Sequence, residues 1–199
     1  MLRRRLSPLG RQAAQVAYDC QQAATRMPVI FASRYGDAAR SLELLRHHAA
    51  DEALSPTDFA LSVHNAIGAM YSIARADGSN YSAVAAGRAT VAAALVDAAG
   101  QLDDGADEVL LVCYDAPLPG AYAAFADEPS VPFAWAWRVT QPQPGAASFS
   151  LSVACADGQS EADAGALPFG LDVMRFALSQ DRVMRRSVDG QCWTWRRHG

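Results

Sequence analysis

The stretch SPTDFALSVHNAIGAMYSIARADGSNYSAVAAGRATVAAALVDAAGQLDDGADEVLLVCYD, residues 55–115, reads as helix, strand, helix, strand. Ser55 and Pro56 give the first helix a side-chain cap and a proline where no amide donor is needed, and Asp58 sits near the positive end of the dipole. Phe59, Val63, Ile67, Met70 and Ile73 recur at steps of three or four, which predicts one apolar stripe with a break near Asn65. Asp77-Gly78-Ser79-Asn80 is turn chemistry. Tyr81-Ser82-Ala83-Val84-Ala85-Ala86 is then a short strand of small residues ending at Gly87. Residues 89–102 are nearly all Ala, Val and Leu on every side, which predicts a helix buried all round. Residues 108–114 are too continuously apolar to alternate, so the strand they form is expected to be buried on both faces, as parallel strands are.

On the N-terminal side, Ser7-Pro8 caps a helix carrying Leu9, Ala13, Val16, Ala17 and Cys20 on one face and ending before Pro28. Val29-Ile30-Phe31-Ala32 is a short buried strand. The loop Ser33-Arg34-Tyr35-Gly36 follows its C-terminal end, where open α/β sheets place their sites. Residues 37–48 read as a helix contributing Leu42, Leu44 and Leu45, with His47 and His48 solvated at its negative pole; no carboxylate or cysteine stands at a spacing that would make them metal ligands.

On the C-terminal side, residues 115–132 contain Pro117, Pro119, Pro129 and Pro132 and form a long irregular connection. Loops of that length in compact domains carry function or cover something. Residues 133–140 and 148–155 both alternate and are joined by a Pro/Gly loop at 141–147, which predicts an antiparallel pair. Residues 157–166 are acidic and small, and are expected to be mobile. Residues 168–178 return to helix with Leu171, Met174, Phe176 and Leu178, and 191–197 form a last strand bearing Trp193 and Trp195.

With 199 residues and 51% hydrophobic content, the chain is expected to be one domain spanning 1–199. A net charge of −4 argues against nucleic acid or an anionic membrane as partner. All 17 basic residues are arginine, so lysine Schiff-base chemistry is excluded. Four cysteines, at 20, 113, 155 and 192, lack paired spacing; reduced, buried thiols in a cytoplasmic protein are expected, with no metal site. Residues 1–5 are basic but precede no signal-like apolar core, and no run is expected to span a membrane.

Two segments carry a resemblance: Ser62-Val63-His64-Asn65 on the first helix, and Ala83-Val84-Ala85-Ala86-Gly87-Arg88-Ala89-Thr90 at the strand end. The chain resembles the N-terminal half of a β-ketoacyl synthase of the thiolase fold, and more closely the chain-length-factor-like proteins of aryl polyene clusters. The likeness runs from Leu2-Arg3-Arg4-Arg5-Leu6-Ser7-Pro8-Leu9-Gly10 to the Trp-rich C-terminus. It implies an α/β thiolase-like half-domain, a mixed sheet covered by helices with a buried central helix. Asn65 matches the family's Asn-bearing helix, and Gly87, Arg88 and Thr90 match the elbow that carries the nucleophilic cysteine. The family's first strand, upstream of Leu2, is missing, which predicts an exposed sheet edge beside residues 29–32.

A condensing synthase needs a thiolate at a helix N-terminus and histidines that stabilise the oxyanion. Here the nucleophile position falls on Arg88, and the chain stops where the second thiolase half, with the family's histidines, would begin. Cys113 in its apolar strand and Cys20 on a core face are expected to be inert, because burial raises a thiol pKa. Ser62 and His64 lie on different sides of a helix, so His64 is expected to pack or cap rather than form a dyad; Asn65 suits both the family role and a helix break. A cation at the positive end of a helix is unfavourable, so Arg88 is expected to be paired or to reach towards an interface.

The resemblance therefore implies a non-catalytic chain-length-factor subunit without cofactor. It would pair as a heterodimer with an active β-ketoacyl-ACP synthase and serve chains held on an acyl carrier protein. Tyr81, Ser82, Ala83, Val84, Ala85 and Ala86 would form the strand that pairs across the dimer, or else pack beneath the next helix. Trp135, Trp137, Trp193 and Trp195 in so small a chain predict an exposed apolar patch and a homodimer when the partner is absent. Two other readings remain: an acyltransferase or hydrolase using Ser33 or Cys113, and a purely structural stabiliser of a synthase complex.

Overall fold

The computed structural model describes residues 2–22, 25–155 and 167–199. The acidic segment expected to be mobile, 157–166, lies outside the described residues. In chain order the elements are α1 (Pro8–Cys20), β1 (Val29–Ala32), α2 (Ala38–Ala49), α3 (Pro56–Ser62), α4 (Ala66–Arg75), β2 (Tyr81–Val84), α5 (Thr90–Asp103), β3 (Glu108–Asp115), β4 (Phe133–Thr140), β5 (Ser148–Cys155), α6 (Phe169–Leu178), β6 (Val183–Val188) and β7 (Gln191–His198). Short 3-10 turns precede α1 and lie within the β3–β4 connection.

A four-stranded mixed sheet ordered β2-β1-β3-β4 is the centre of the molecule. β1 pairs parallel with β2 and with β3, and β4 pairs antiparallel with β3. The double burial read from residues 108–114 is what the structure shows. Val109, Leu111 and Cys113 pack in one apolar layer, while Leu110, Val112 and Tyr114 pack in the other. On the Leu110 side lie α1 and α4, with Leu9, Ala13, Ala17, Ile67, Met70 and Tyr71. On the Leu111 side lie α5, α6 and a second sheet ordered β5-β7-β6, whose Trp193 and Trp195 complete that layer. Fully burying each of these large side chains is worth about 1.5–3 kcal/mol.

Several expectations are corrected by this packing. β4 and β5 do not pair: β4 supplies the ladder partner that buried β3 needs, and the 141–147 loop carries the chain to the other sheet, where β5 pairs with β7. β1 is internal, so the sheet edge on that side is β2. Trp135, Trp193 and Trp195 are core residues and Trp137 packs against the same layer, so these aromatics form no exposed patch. Cys113 is buried, Cys20 and Cys192 are half-buried, but Cys155 is exposed, and all four thiols are free.

The stripe across residues 59–73 is interrupted. Val63 is extended and ends α3, and Ala66 N–H donates to its carbonyl, so the two helices run out of phase. Phe59 and Ile73 are left 62% and 63% exposed, and Tyr71 takes the inward place beside Met70. The Tyr71 hydroxyl donates to Gln21 Oε1 at 2.6 Å. Close approach of α4 to the sheet depends on Gly68, where a Cβ would come within 2.7 Å of the Tyr81 ring. α5 is buried at Val91, Ala92, Ala94, Ala98 and Leu102 but not all round: Val96, Ala99 and Gly100 face solvent on its C-terminal half.

β6 was not anticipated. It joins β7 through Asp189 and Gly190, both at positive φ, the backbone of a two-residue hairpin turn. Arg186 faces inward from β6, 7% exposed, and its Nη1 donates to Asp172 Oδ2 of α6 at 2.6 Å; Asp172 is 2% exposed. This pair fastens the small sheet to α6. Trp135 Nε1, donating to the Gly170 carbonyl at 3.1 Å, fastens α6 to the central sheet.

Candidate functional site: a charged elbow at the strand ends

The C-terminal ends of β1, β2 and β3 converge beside the N-termini of α5 and α6. Between β2 and α5 the chain makes its elbow. Gly87 sits at φ +53, a left-handed conformation that side-chain-bearing residues avoid. Thr90 pins it: its Oγ1 donates to the Gly87 carbonyl at 2.7 Å and accepts from Ala86 N–H at 3.0 Å. Arg88 stands at the apex.

As the sequence predicts for a cation at this place, Arg88 is paired. Its Nη2 lies 2.8 Å from Asp189 Oδ1 on the β6–β7 turn, and its Nε lies 4.0 Å from Asp127 Oδ2. The hydrogen bond to Asp189 raises the guanidinium pKa further. Arg34, from the loop after β1, holds the same Asp127, and its Nη1 is 3.2 Å from Glu128. Glu128 in turn accepts from Phe169 N–H, the first amide of α6, at 3.2 Å. The 116–132 connection is thus strapped over the elbow by two arginines and a helix start. Tyr35 adds a further tie, its hydroxyl donating to the Phe125 carbonyl at 3.2 Å.

Beneath the strap, Asp115 at the end of β3 accepts from Ser33 Oγ at 2.8 Å and from Arg34 N–H at 3.0 Å. Burial pushes the Asp115 carboxyl up to about 6, against the pull of these donors. The cavity enclosed by Arg34, Gly87, Arg88, Asp115, Glu128 and Phe133 measures about 30 Å³. A cavity of that size is roomy enough for ordered water among these polar groups.

The sequence-derived residues fall as follows. Gly87, Arg88 and Thr90 meet at the cavity. Asn65 does not: it is exposed before α4, makes no side-chain cap, and lies in an open depression with Ser79, Asn80, Tyr81 and Ala83. Ser62 Oγ donates to Phe59 O within its own helix, not to His64. His64 packs over the loop after β1, where a Cβ on Gly36 would come within 2.7 Å of its Nδ1. Ser33 is fully buried with its hydroxyl committed to Asp115 and to Gly36 N–H. Burial drives the Cys113 thiol far up. Neither is presented as a nucleophile. Among the described residues, no three of His, Cys, Asp and Glu form a group able to hold a metal.

Arg34, Asp115, Asp127, Glu128 and Asp189 were not singled out as site residues. The strand-end rule that marks the 33–36 loop also marks Asp115, and the Asp189-Gly190 dipeptide is a hairpin signal.

Of 199 residues, 1–196 match the family model described as β-ketoacyl synthase, N-terminal domain. The chain belongs to the β-ketoacyl synthase family. Its structure is similar to a chain of the complex of the ketosynthase ApeO with its chain length factor ApeC from Xenorhabdus doucetiae. The TM-score is 0.85 at 26% identity, over 98% of this chain and 79% of that one. It also shares the fold of the ishigamide ketosynthase/chain length factor, with a TM-score of 0.61 at 17% identity, over 76% of this chain and 49% of that one. None of the curated proteins compared matches it. The thiolase-like ketosynthase fold expected from residues 62–65 and 83–90 is therefore the fold of this family member.

Within that fold the ion pairs of Arg88 are partly exposed, and pairs of this kind contribute little. Arg88→Ala is expected to cost no more than about 1 kcal/mol in urea unfolding, since Arg34 still holds the strap.

Proposed function

We propose that this chain is a single ketosynthase-like domain acting as a non-catalytic, chain-length-factor-like subunit. In this reading it pairs in the cytoplasm with an active β-ketoacyl-ACP synthase that extends aryl polyene, polyketide or fatty-acid-type chains on an acyl carrier protein. One observation carries the reading. At the elbow that the resemblance equates with the family's nucleophile position stands Arg88, paired with Asp127 and Asp189. A guanidinium tied up in two ion pairs is no nucleophile for a thioester.

The assembly half of the reading draws on β2. It is a sheet edge whose four residues are half-buried or exposed, and it is flanked by α4 and α5, which expose Ile73 and Val96. Small side chains at Ser82 and Ala83 permit close approach of a second strand. No described helix is long and apolar enough to cross a membrane.

The test has two arms. Co-expression with a β-ketoacyl-ACP synthase should yield a heterodimer that Ala83→Arg dissociates. Acylation assays with labelled acyl carrier protein should leave the isolated chain unlabelled. Arg88→Cys is expected to yield no condensed product with the partner synthase inactivated, because no histidine lines the cavity beside it to stabilise an oxyanion, and a thiolate alone only begins the reaction. Label on the wild-type chain alone, or condensed product from that mixture, would withdraw the non-catalytic assignment. If enlarging residues at the β2 interface changes yield but never product length, the chain is a stabiliser of the complex and not a length-setting subunit.

A further inference from the structure

The small sheet has an edge of a different kind. Among the described residues β5 pairs only with β7, through all eight of its residues, so its other side is a row of open backbone donors and acceptors. Natural edge strands are blunted by charge, proline, bulges or brevity. β6, the opposite edge of the same sheet, carries exposed Arg185. β5, Ser148-Phe149-Ser150-Leu151-Ser152-Val153-Ala154-Cys155, has no charge, no proline and no glycine.

Its apolar residues form one row. Leu151 stands opposite Trp195, and Val153 stands opposite Trp193, so the odd-numbered side chains face the core layer. Leu151 packs against that layer. Phe149 and Val153, two residues to either side, are 44% and 50% exposed. Phe149 is held in place, its ring 5.7 Å from Phe176 and 4.8 Å from the Arg197 guanidinium.

We propose that β5 is an isologous contact surface, where a second copy of this chain pairs antiparallel about a two-fold axis at Leu151. The two three-stranded sheets become one continuous sheet. In that register Leu151 opposes its own copy, Ser150 opposes Ser152, and Phe149 opposes Val153, so each copy's half-exposed aromatic covers the other's half-exposed Val153. Opposed residues of an antiparallel pair share a face, so both apolar rows join on the core side and both serine rows stay in water. The occupant is a second copy and not an unrelated strand for two reasons. The pattern Phe-Ser-Leu-Ser-Val is symmetric about Leu151 in its alternation. The strand itself also has no charge, so self-pairing brings no like charges directly opposite each other along the new ladder. This surface is separate from β2 and stands whether or not the chain pairs with a synthase; with both occupied, four chains assemble.

Edge pairing of this extent belongs to the small, weak class of interfaces, so a dissociation constant on the order of 10–100 µM is expected. Sedimentation equilibrium of the full chain should show a concentration-dependent dimer. Val153→Lys should weaken it at least tenfold while leaving the far-UV circular dichroism and urea midpoint unchanged, since the side chain is half in solvent. Ala83→Arg, on β2, should leave the dimer intact. In a Cys155→Ser background, an oxidised mixture of Ser150→Cys and Ser152→Cys chains should give more disulfide-linked dimer than either variant alone. A monomer up to about 1 mM, a dimer that survives Val153→Lys, a dimer dissolved by Ala83→Arg, or no excess disulfide in the mixture overturns the proposal.

Discussion

Asp172→Ala is expected to destabilise the protein by about 3–5 kcal/mol, because removing one partner of a buried pair leaves the other charge uncompensated. Among the described residues Arg186 would keep the Leu167 carbonyl, at 3.4 Å, the Phe169 ring, at 5.5 Å from its guanidinium, and the longer-range attraction of Glu128. None of these is a direct ion pair for a cation that is 7% exposed. Since this contact fastens β6 to α6, the loss falls on the junction between the small sheet and the rest of the core. Urea unfolding measures it. Asp172→Leu combined with Arg186→Met should recover more than half the loss, because well-packed apolar residues replace such a pair at little cost. A loss under about 1 kcal/mol for the single variant would place the pair among surface bridges and contradict its burial.

The second large effect is one of pH. Asp115 titrates at about 6 in the folded chain, against about 3.9 for an unperturbed aspartate. Between these values the folded state keeps a proton that the unfolded state releases, so this group's contribution falls as pH rises through the window. Well above pH 6 the full penalty, about 3 kcal/mol, is in place; well below pH 4 it is gone. Asp115→Asn keeps an acceptor for Ser33 Oγ and Arg34 N–H but cannot titrate. Relative to this variant, the wild type should therefore gain about 2 kcal/mol on going from pH 7 to pH 4. Carboxylates remote from Asp115 titrate alike in both proteins and cancel in the comparison; Glu128, which adds to the upward push on Asp115, does not cancel fully. A difference that stays constant over that range would show that Asp115 is ionised at no unusual cost.

The central sheet was legible because its signal is local. Six consecutive buried residues from Val109 to Tyr114 leave no polar face, and that pattern belongs to a strand covered on both sides. The elbow was legible through the run 83–90, and the pairing of Arg88 followed from helix electrostatics before any partner was known. What stayed hidden depends on contacts between distant segments. Arg186 breaks the apolar pattern of β6, and only Asp172, on another element, makes its inward position tolerable. Arg34 and Asp127 meet through loops without periodicity. Val96, Ala99 and Gly100 are as small or apolar as the buried residues beside them, so composition could not tell the covered half of α5 from the exposed half. β4 and β5 alternate alike, and the pattern does not say whose ladder each completes.

Thr90 and Gly87 hold the elbow without reference to what stands between them. The bracing runs through main-chain carbonyls, main-chain amides and one hydroxyl, and the side chain at 88 takes no part in it. The bend is therefore a fitting with a removable insert. The residue it carries can be exchanged without recasting the frame, so what the bend presents and how the bend is held are separate properties of the chain.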